Sequence, residues 1–177
     1  MEGRGARLER PLDHVARKDE LLEANEVYAA AFAKGDLAAP PARRFAVVTC
    51  MDARIDPAKA LGLSEGDAHV IRNAGGLVTD DALRSLAISH WELGTQEVFV
   101  IAHTACGMQT FTNEEMREKL AAQGVDAAAV DFAPFTDLED SVRESVRRVR
   151  ESPLLPDSFS ATGFVYDVKT GRLHEVH

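Results

Sequence analysis

The sequence predicts an α/β fold: a mainly parallel central sheet flanked by helices, with an antiparallel strand at its C-terminal edge. Three observations carry this reading. Strand-like apolar runs alternate with helix-like segments along most of the chain, the order that yields right-handed strand–helix–strand crossovers. The runs at 45–49 and 97–102 are almost entirely apolar, as strands buried on both faces are. The last two runs, 162–168 and 172–176, are joined by Lys169-Thr170-Gly171 and read as a hairpin.

The elements follow in order. Residues 13–34 are rich in Ala, Leu, Glu and Lys with no internal Pro or Gly. Leu21, Ala24, Tyr28, Ala31 and Phe32 fall there at helical spacing, and Gly35 ends the segment. Residues 1–37 are thus expected to form a helical arm, and 38–177 a single α/β domain. Ala38-Ala39-Pro40-Pro41 is a stiff linker into the first strand. Ile55-Asp56-Pro57 turns the chain into a short helix at 58–61, closed by Gly62. A second strand at 68–72 stops at Asn73-Ala74-Gly75-Gly76. Thr79 or Asp80 caps a helix that runs to Leu93, with Leu83, Leu86, Ala87, His90 and Trp91 on its buried side. The third strand delivers His103. Thr112 with Glu115 fits a capping box opening the next helix. Thr136 with Glu139 fits a second, whose helix turns Val142, Val146 and Val149 inward until Pro153 and Pro156 break it.

A chain of 177 residues is long enough for one domain with a substantial core. With 29 Asp and Glu against 20 Lys and Arg the net charge is −9, which disfavours a general nucleic-acid binder, because phosphate is repelled overall. No apolar run approaches the roughly 20 residues needed to cross a bilayer. The arginines near the N-terminus are not followed by the apolar segment of a secretion signal. No nucleic-acid or membrane partner is expected, and the cytoplasm is the default address. Two cysteines exclude a disulfide scaffold; they can form one bond, or stay reduced and serve a metal.

Chemistry concentrates at strand ends, where the ligands of open α/β sheets bind. Cys50 ends the first strand, with Asp52 and Arg54 behind it; His103 and Cys106 follow the third. Cys50, His103 and Cys106 are three potential ligands for a soft or borderline metal, and one sheet edge can present them together. Zinc takes Cys and His in tetrahedral sites, and a catalytic site keeps its fourth position open. Asp52 is near enough in sequence to reach that position. Paired instead with Arg54, whose fork suits a carboxylate, it leaves the position free for water, whose pKa zinc lowers to about 7. The spacing allows a switch between these two arrangements. Taken singly, the cysteines read as buried reduced thiols, and Asp52 with Arg54 as a surface ion pair. What favours a site is that both motifs end strands and a Gly-Gly turn ends the strand between them.

The remaining candidates have plainer roles. His69 and His90 read as structural rather than as proton shuttles. Gly75 and Gly76 permit a tight turn and close backbone approach. Arg143, Arg147, Arg148 and Arg150 alternate with Glu144 and Glu151, as on a solvated helix face.

Together, Cys50-Met51-Asp52-Ala53-Arg54, Arg72-Asn73-Ala74-Gly75-Gly76 and His103-Thr104-Ala105-Cys106-Gly107 resemble the signature segments of the β-class carbonic anhydrases, in that family's order. The resemblance implies a zinc enzyme with Cys50, His103 and Cys106 as ligands, and it matches Asp52 and Arg54 to the family's Asp–Arg dyad. It implies interconversion of carbon dioxide and bicarbonate through a zinc-bound hydroxide. It also implies a homodimer or homotetramer in which the N-terminal helical arm lies over the partner subunit.

Met51 and Ala53 stand where many family members have serine, and Met108 stands where many have a second glycine. These choices resemble a smaller subgroup of compact bacterial anhydrases that also holds hydrolases of carbonyl sulfide or carbon disulfide. The sequence thus leads to a carbonic anhydrase, with a carbonyl sulfide or carbon disulfide hydrolase as the alternative. A non-catalytic zinc-binding or redox-sensing protein is the second alternative.

Overall fold

The structure is a computed structural model that describes residues 14–177. The chain divides into two compact units, Met1–Leu37 and Ala38–His177. In the first, α1 spans His14–Ala30; the expected start at residue 13 lies outside the described residues. The helix stops at Ala30 rather than Lys34 because the chain tightens there. The Ala31 and Phe32 amides reach back only three residues, to the carbonyls of Tyr28 and Ala29, at 3.2 Å each.

The second unit is built on five strands: β1 (Phe45–Cys50), β2 (Ala68–Asn73), β3 (Glu97–His103), β4 (Ser160–Tyr166) and β5 (Leu173–Val176). Their spatial order is β2-β1-β3-β4-β5. The first four are parallel and β5 is antiparallel to β4, the mixed sheet expected from the sequence. Because β1 and β3 are parallel neighbours with Thr49 opposite Ile101, both deliver their last residues to the same edge. That edge is where the candidate site lies.

Every residue of β1 is buried, as its unbroken apolar run requires. Successive side chains point to opposite faces. Ala46 and Val48 join Val98, Val100 and Ala102 in one core layer, beneath α3 (Asp80–Trp91) and α5 (Leu138–Arg150). Phe45 and Val47 join Ile101 in a second layer on the opposite face, closed by Leu61 and Leu63 beside the short helix α2 (Pro57–Leu61). Val142, Val146 and Val149 bury the inner face of α5. Gly163 lets that helix approach β4: a Cβ there would collide with the Val142 side chain.

The Thr112–Glu115 capping box is present in full and opens α4 (Asn113–Ala121). Two local expectations are corrected. The cap of α5 is Asp137, not Thr136: its carboxylate takes the Asp140 amide at 2.9 Å, while the Thr136 carbonyl accepts from Gln109 Nε2. Trp91 is 65% exposed, because the inner face of α3 runs through Ala82, Leu86 and Ser89 and Trp91, two residues past Ser89, lies about 200° round the helix from it. Its indole nitrogen donates to the Leu154 carbonyl at 2.9 Å. Among the described residues, no helix is long and apolar enough to cross a membrane.

Candidate metal centre

Cys50 is the last residue of β1 and His103 the last of β3. Cys106 follows three residues later, after Ala105 turns the chain through a left-handed conformation at φ 54°. Their ligand atoms, two Sγ and one imidazole nitrogen, all lie within 4.8 Å of one another. All three residues are buried, and both cysteines are free thiols. Ile55 and Met108 pack beside the thiols, with Phe111, Phe135 and Tyr166 outside them. The sequence-predicted ligand trio is therefore assembled beside one buried apolar cluster.

The imidazole is aimed. His103 Nδ1 sits 3.0 Å from the Thr104 carbonyl oxygen. A carbonyl only accepts, so Nδ1 carries the proton and Nε2 turns its lone pair inward. Among the described residues, Nε2 is a buried side-chain atom with no hydrogen-bond partner. Leaving such an atom unsatisfied costs about 1–3 kcal/mol. Two thiols and one orphaned nitrogen within reach of a common point are the donor set of a tetrahedral zinc site with one position open. Burial pushes the Cys106 thiol up, with Cys50 beside it adding to the effect. A metal must therefore displace a proton from Cys106 to bind there.

Asp52 and Arg54 form a bidentate pair: Arg54 Nε donates to Oδ1 at 2.9 Å and an Nη to Oδ2 at 2.6 Å. The Arg54 side-chain hydrogen bonds hold the Asp52 carboxyl well below the usual carboxylate range, against a smaller opposing effect of burial. Asp52 Oδ2 also lies 3.7 Å from His103 Nε2, beyond hydrogen-bond range but facing the ligand cluster. Arg54 is fixed in turn by the Ala105 carbonyl, to which it donates at 3.0 Å. Of the two arrangements the spacing allows, the structure shows the carboxylate resting on Arg54.

Arg72 is not among the site residues predicted from sequence, yet it clamps this corner. Its guanidinium donates to the Cys50 carbonyl at 2.9 Å and to the Asp52 carbonyl at 2.8 Å, straddling Met51. The available signal was its place at the end of the strand beside Cys50, ahead of Asn73 and the glycines. Asn73 then locks the turn by bonding both the amide and the carbonyl of Leu77. Gly76 is there for contact: at φ 67°, its missing Cβ would stand 2.7 Å from the Cys50 amide nitrogen. His69 and His90 are engaged elsewhere, on Ser89 Oγ and the Thr95 carbonyl.

This geometry has known counterparts. Residues 45–173 match the family model described as carbonic anhydrase. The chain belongs to the β-carbonic anhydrase family. It is 47% identical over 160 residues to β-carbonic anhydrase 1 of Mycobacterium tuberculosis, covering 89% of this chain and 96% of that one. A carbonic anhydrase structure from Streptococcus mutans superposes with a TM-score of 0.87 at 50% identity, over 90% and 97% of the two chains. A carbon disulfide hydrolase of Acidianus sp. is 35% identical, over 89% of this chain and 87% of that one. Family membership makes zinc the metal for which the Cys50, His103 and Cys106 donor set is fitted.

Proposed function

We propose that this chain is a zinc-dependent carbonic anhydrase that converts carbon dioxide and water to bicarbonate and a proton, and back. The observation that carries the reading is the buried trio of Cys50, His103 and Cys106, in which the His103 Nε2 is left without a hydrogen-bond partner among the described residues. Bound there, zinc supplies Lewis acidity and lowers the pKa of water at its fourth position to about 7.

The protein's own residues do the rest. Two thiolates offset the charge of the ion, so a second anion needs a counter-charge, and Arg54 provides it for Asp52. Ionised throughout the working range, Asp52 is an acceptor beside the ligand cluster that can orient a water by accepting a hydrogen bond from it. Arg72 keeps Cys50 and Asp52 in fixed relation by holding both carbonyls. Met108, Phe111 and Phe135 pack around the thiols and give the site apolar surroundings suited to a small, neutral, linear substrate.

A second reading, hydrolysis of carbonyl sulfide or carbon disulfide with release of hydrosulfide, is supported by the resemblance to the Acidianus enzyme. We also assign the 1–37 arm to the surface of a partner subunit in a homodimer or homotetramer. Supporting this are the exposed apolar side chains Leu21, Leu22, Val27 and Tyr28 along α1. The cytoplasm suits the two free thiols, because reducing conditions keep them available to a metal.

Stopped-flow hydration of carbon dioxide beside a sulfide-release assay, both on zinc-loaded protein, tests the reading. Rapid hydration without sulfide release is the expected result. Sulfide release without hydration would replace it with the second reading.

A further inference from the structure

We propose that Thr104 is a positioning residue for the metal site, transmitting the fixed geometry of the β4–β5 turn to the His103 imidazole. The inference rests on the zinc reading above and extends it beyond the ligands and the Asp52–Arg54 pair. Among the described residues, the His103 side chain makes a single hydrogen bond, from Nδ1 to the Thr104 carbonyl. A side chain with one orienting bond is only as well placed as the peptide that receives it. That peptide stands at the end of β3, where the chain leaves the sheet and enters the left-handed turn at Ala105.

Thr104 is held from two further directions. Its amide donates to the Tyr166 carbonyl at 2.9 Å, the last backbone bond tying this segment to β4. Its hydroxyl accepts from the Val168 amide at 3.1 Å and donates to Asp167 Oδ1 at 3.4 Å. Both partners belong to the turn that leads into β5, and that turn is itself rigidly bonded. Asp167 Oδ1 takes the Lys169 amide at 2.8 Å and Oδ2 takes the Thr170 hydroxyl at 3.0 Å. The Asp167 backbone adds two bonds of 2.8 Å, to Arg172 and Gly171.

The hydroxyl thus fastens the ligand-bearing loop to an independent, over-determined turn. Removing it leaves the segment tied on either side of the Thr104 carbonyl, by the Thr104 amide on Tyr166 and by the Ala105 carbonyl on Arg54, but with no side-chain anchor at the residue whose carbonyl selects the His103 tautomer. Imidazole ligands depend on such outer partners for both tautomer and direction. The β4–β5 hairpin, which contributes no ligand, acquires a role in metal binding through this one side chain.

The test compares the full chain with Thr104→Val, which keeps the shape and deletes the hydroxyl, and with Thr104→Ser, which restores it. Zinc affinity is read by competition with a chromophoric chelator, and the His103 tautomer by 15N–1H correlation in the metal-free protein. Thr104→Val is expected to lose about tenfold or more in zinc affinity and Thr104→Ser to stay within about threefold of the parent. The metal-free Thr104→Val protein is expected to show a mixture of His103 tautomers where the parent shows Nδ1–H alone.

Parent-like affinity in Thr104→Val, or lost affinity with an unchanged tautomer, overturns the proposal. If Thr104→Val does not fold, Asp167→Ala carries the same two readouts: an affinity loss of about threefold or more with tautomer mixing supports the proposal, and parent-like values overturn it. A parent chain that binds no zinc removes the site reading and this inference with it. A parent that binds, beside a Thr104→Val variant that binds equally well, removes this inference alone.

Discussion

Gly76→Ala is expected to strike both stability and metal binding, through a contact that can be costed. The residue sits at φ 67°, and its added Cβ would stand 2.7 Å from the Cys50 nitrogen, 2.9 Å from the Thr49 carbonyl carbon and 3.1 Å from the Thr49 Cα. The left-handed backbone alone costs a non-glycine residue about 1–2 kcal/mol. The three neighbours are backbone atoms of the fully buried strand β1, so no side-chain rotation relieves the overlap. Overpacking of that kind adds about 1–3 kcal/mol. The total is about 2–5 kcal/mol, with its midpoint near a three-hundredfold shift in the folding equilibrium. Gly94→Ala is the internal control, because Gly94 has a similar φ of 74° but, among the described residues, nothing within 4 Å of its missing Cβ. Urea unfolding of both variants isolates the steric part as the difference between them, about 1–3 kcal/mol at equal m-value. The colliding atoms include the Cys50 amide, so Gly76→Ala should also bind zinc more weakly than Gly94→Ala. Equal stability of the two variants, within about 0.5 kcal/mol, would refute the close-approach argument.

Three other outcomes are expected. Arg54→Ala frees Asp52 from its bidentate partner 3.7 Å from His103 Nε2; hydration at neutral pH should fall on the order of a hundredfold while zinc stays near one per chain, and unchanged turnover would show that Arg54 holds nothing back. Asp131 is held below its ordinary 3.8 by the Ala133 amide first and the Asn113 side chain second. A depressed carboxyl stabilises the fold above its unfolded-state value and loses that contribution as pH falls through the folded value. Asp131→Asn should therefore flatten the acid limb of a stability–pH curve below about pH 4, and an unaltered limb would contradict this. Arg147 makes bonds to both Glu144 and Glu151, but all three side chains are more than half exposed. Arg147→Ala should shift thermal unfolding by the equivalent of less than about 1 kcal/mol.

The parts of the molecule written into local chemistry were legible in the sequence. A run such as Phe45–Cys50 has no polar face to turn outward, so its burial on both sides follows from composition. Cys50, His103 and Cys106 could be grouped because each follows a strand, and parallel strands deliver their ends to one edge. The Thr112 box was readable because cap and partner lie three residues apart. What escaped depends on rotation or on distant partners. Trp91 is one of several apolar side chains on its helix, and which of them turn inward is decided by the angle at which α3 meets the sheet. Asp137 and Thr136 are adjacent capping types, and the choice between them lies in where the preceding loop is tied down by Gln109. Arg72 acts on two backbone carbonyls, groups every residue has, so no sequence pattern marks its targets. The resting place of Asp52 is likewise set from outside, by the Ala105 carbonyl that steadies Arg54.

The most direct test is the stopped-flow rate of carbon dioxide hydration by the zinc-loaded chain, followed from about pH 6.5 to 9 around the value near 7 that zinc confers on bound water. With Asp52 resting on Arg54, hydration should already be rapid near neutral pH and should vanish when a chelator strips the metal. A chain that carries one zinc yet hydrates no carbon dioxide anywhere in that range would contradict the reading. It would leave Cys50, His103 and Cys106 as a metal site without this chemistry.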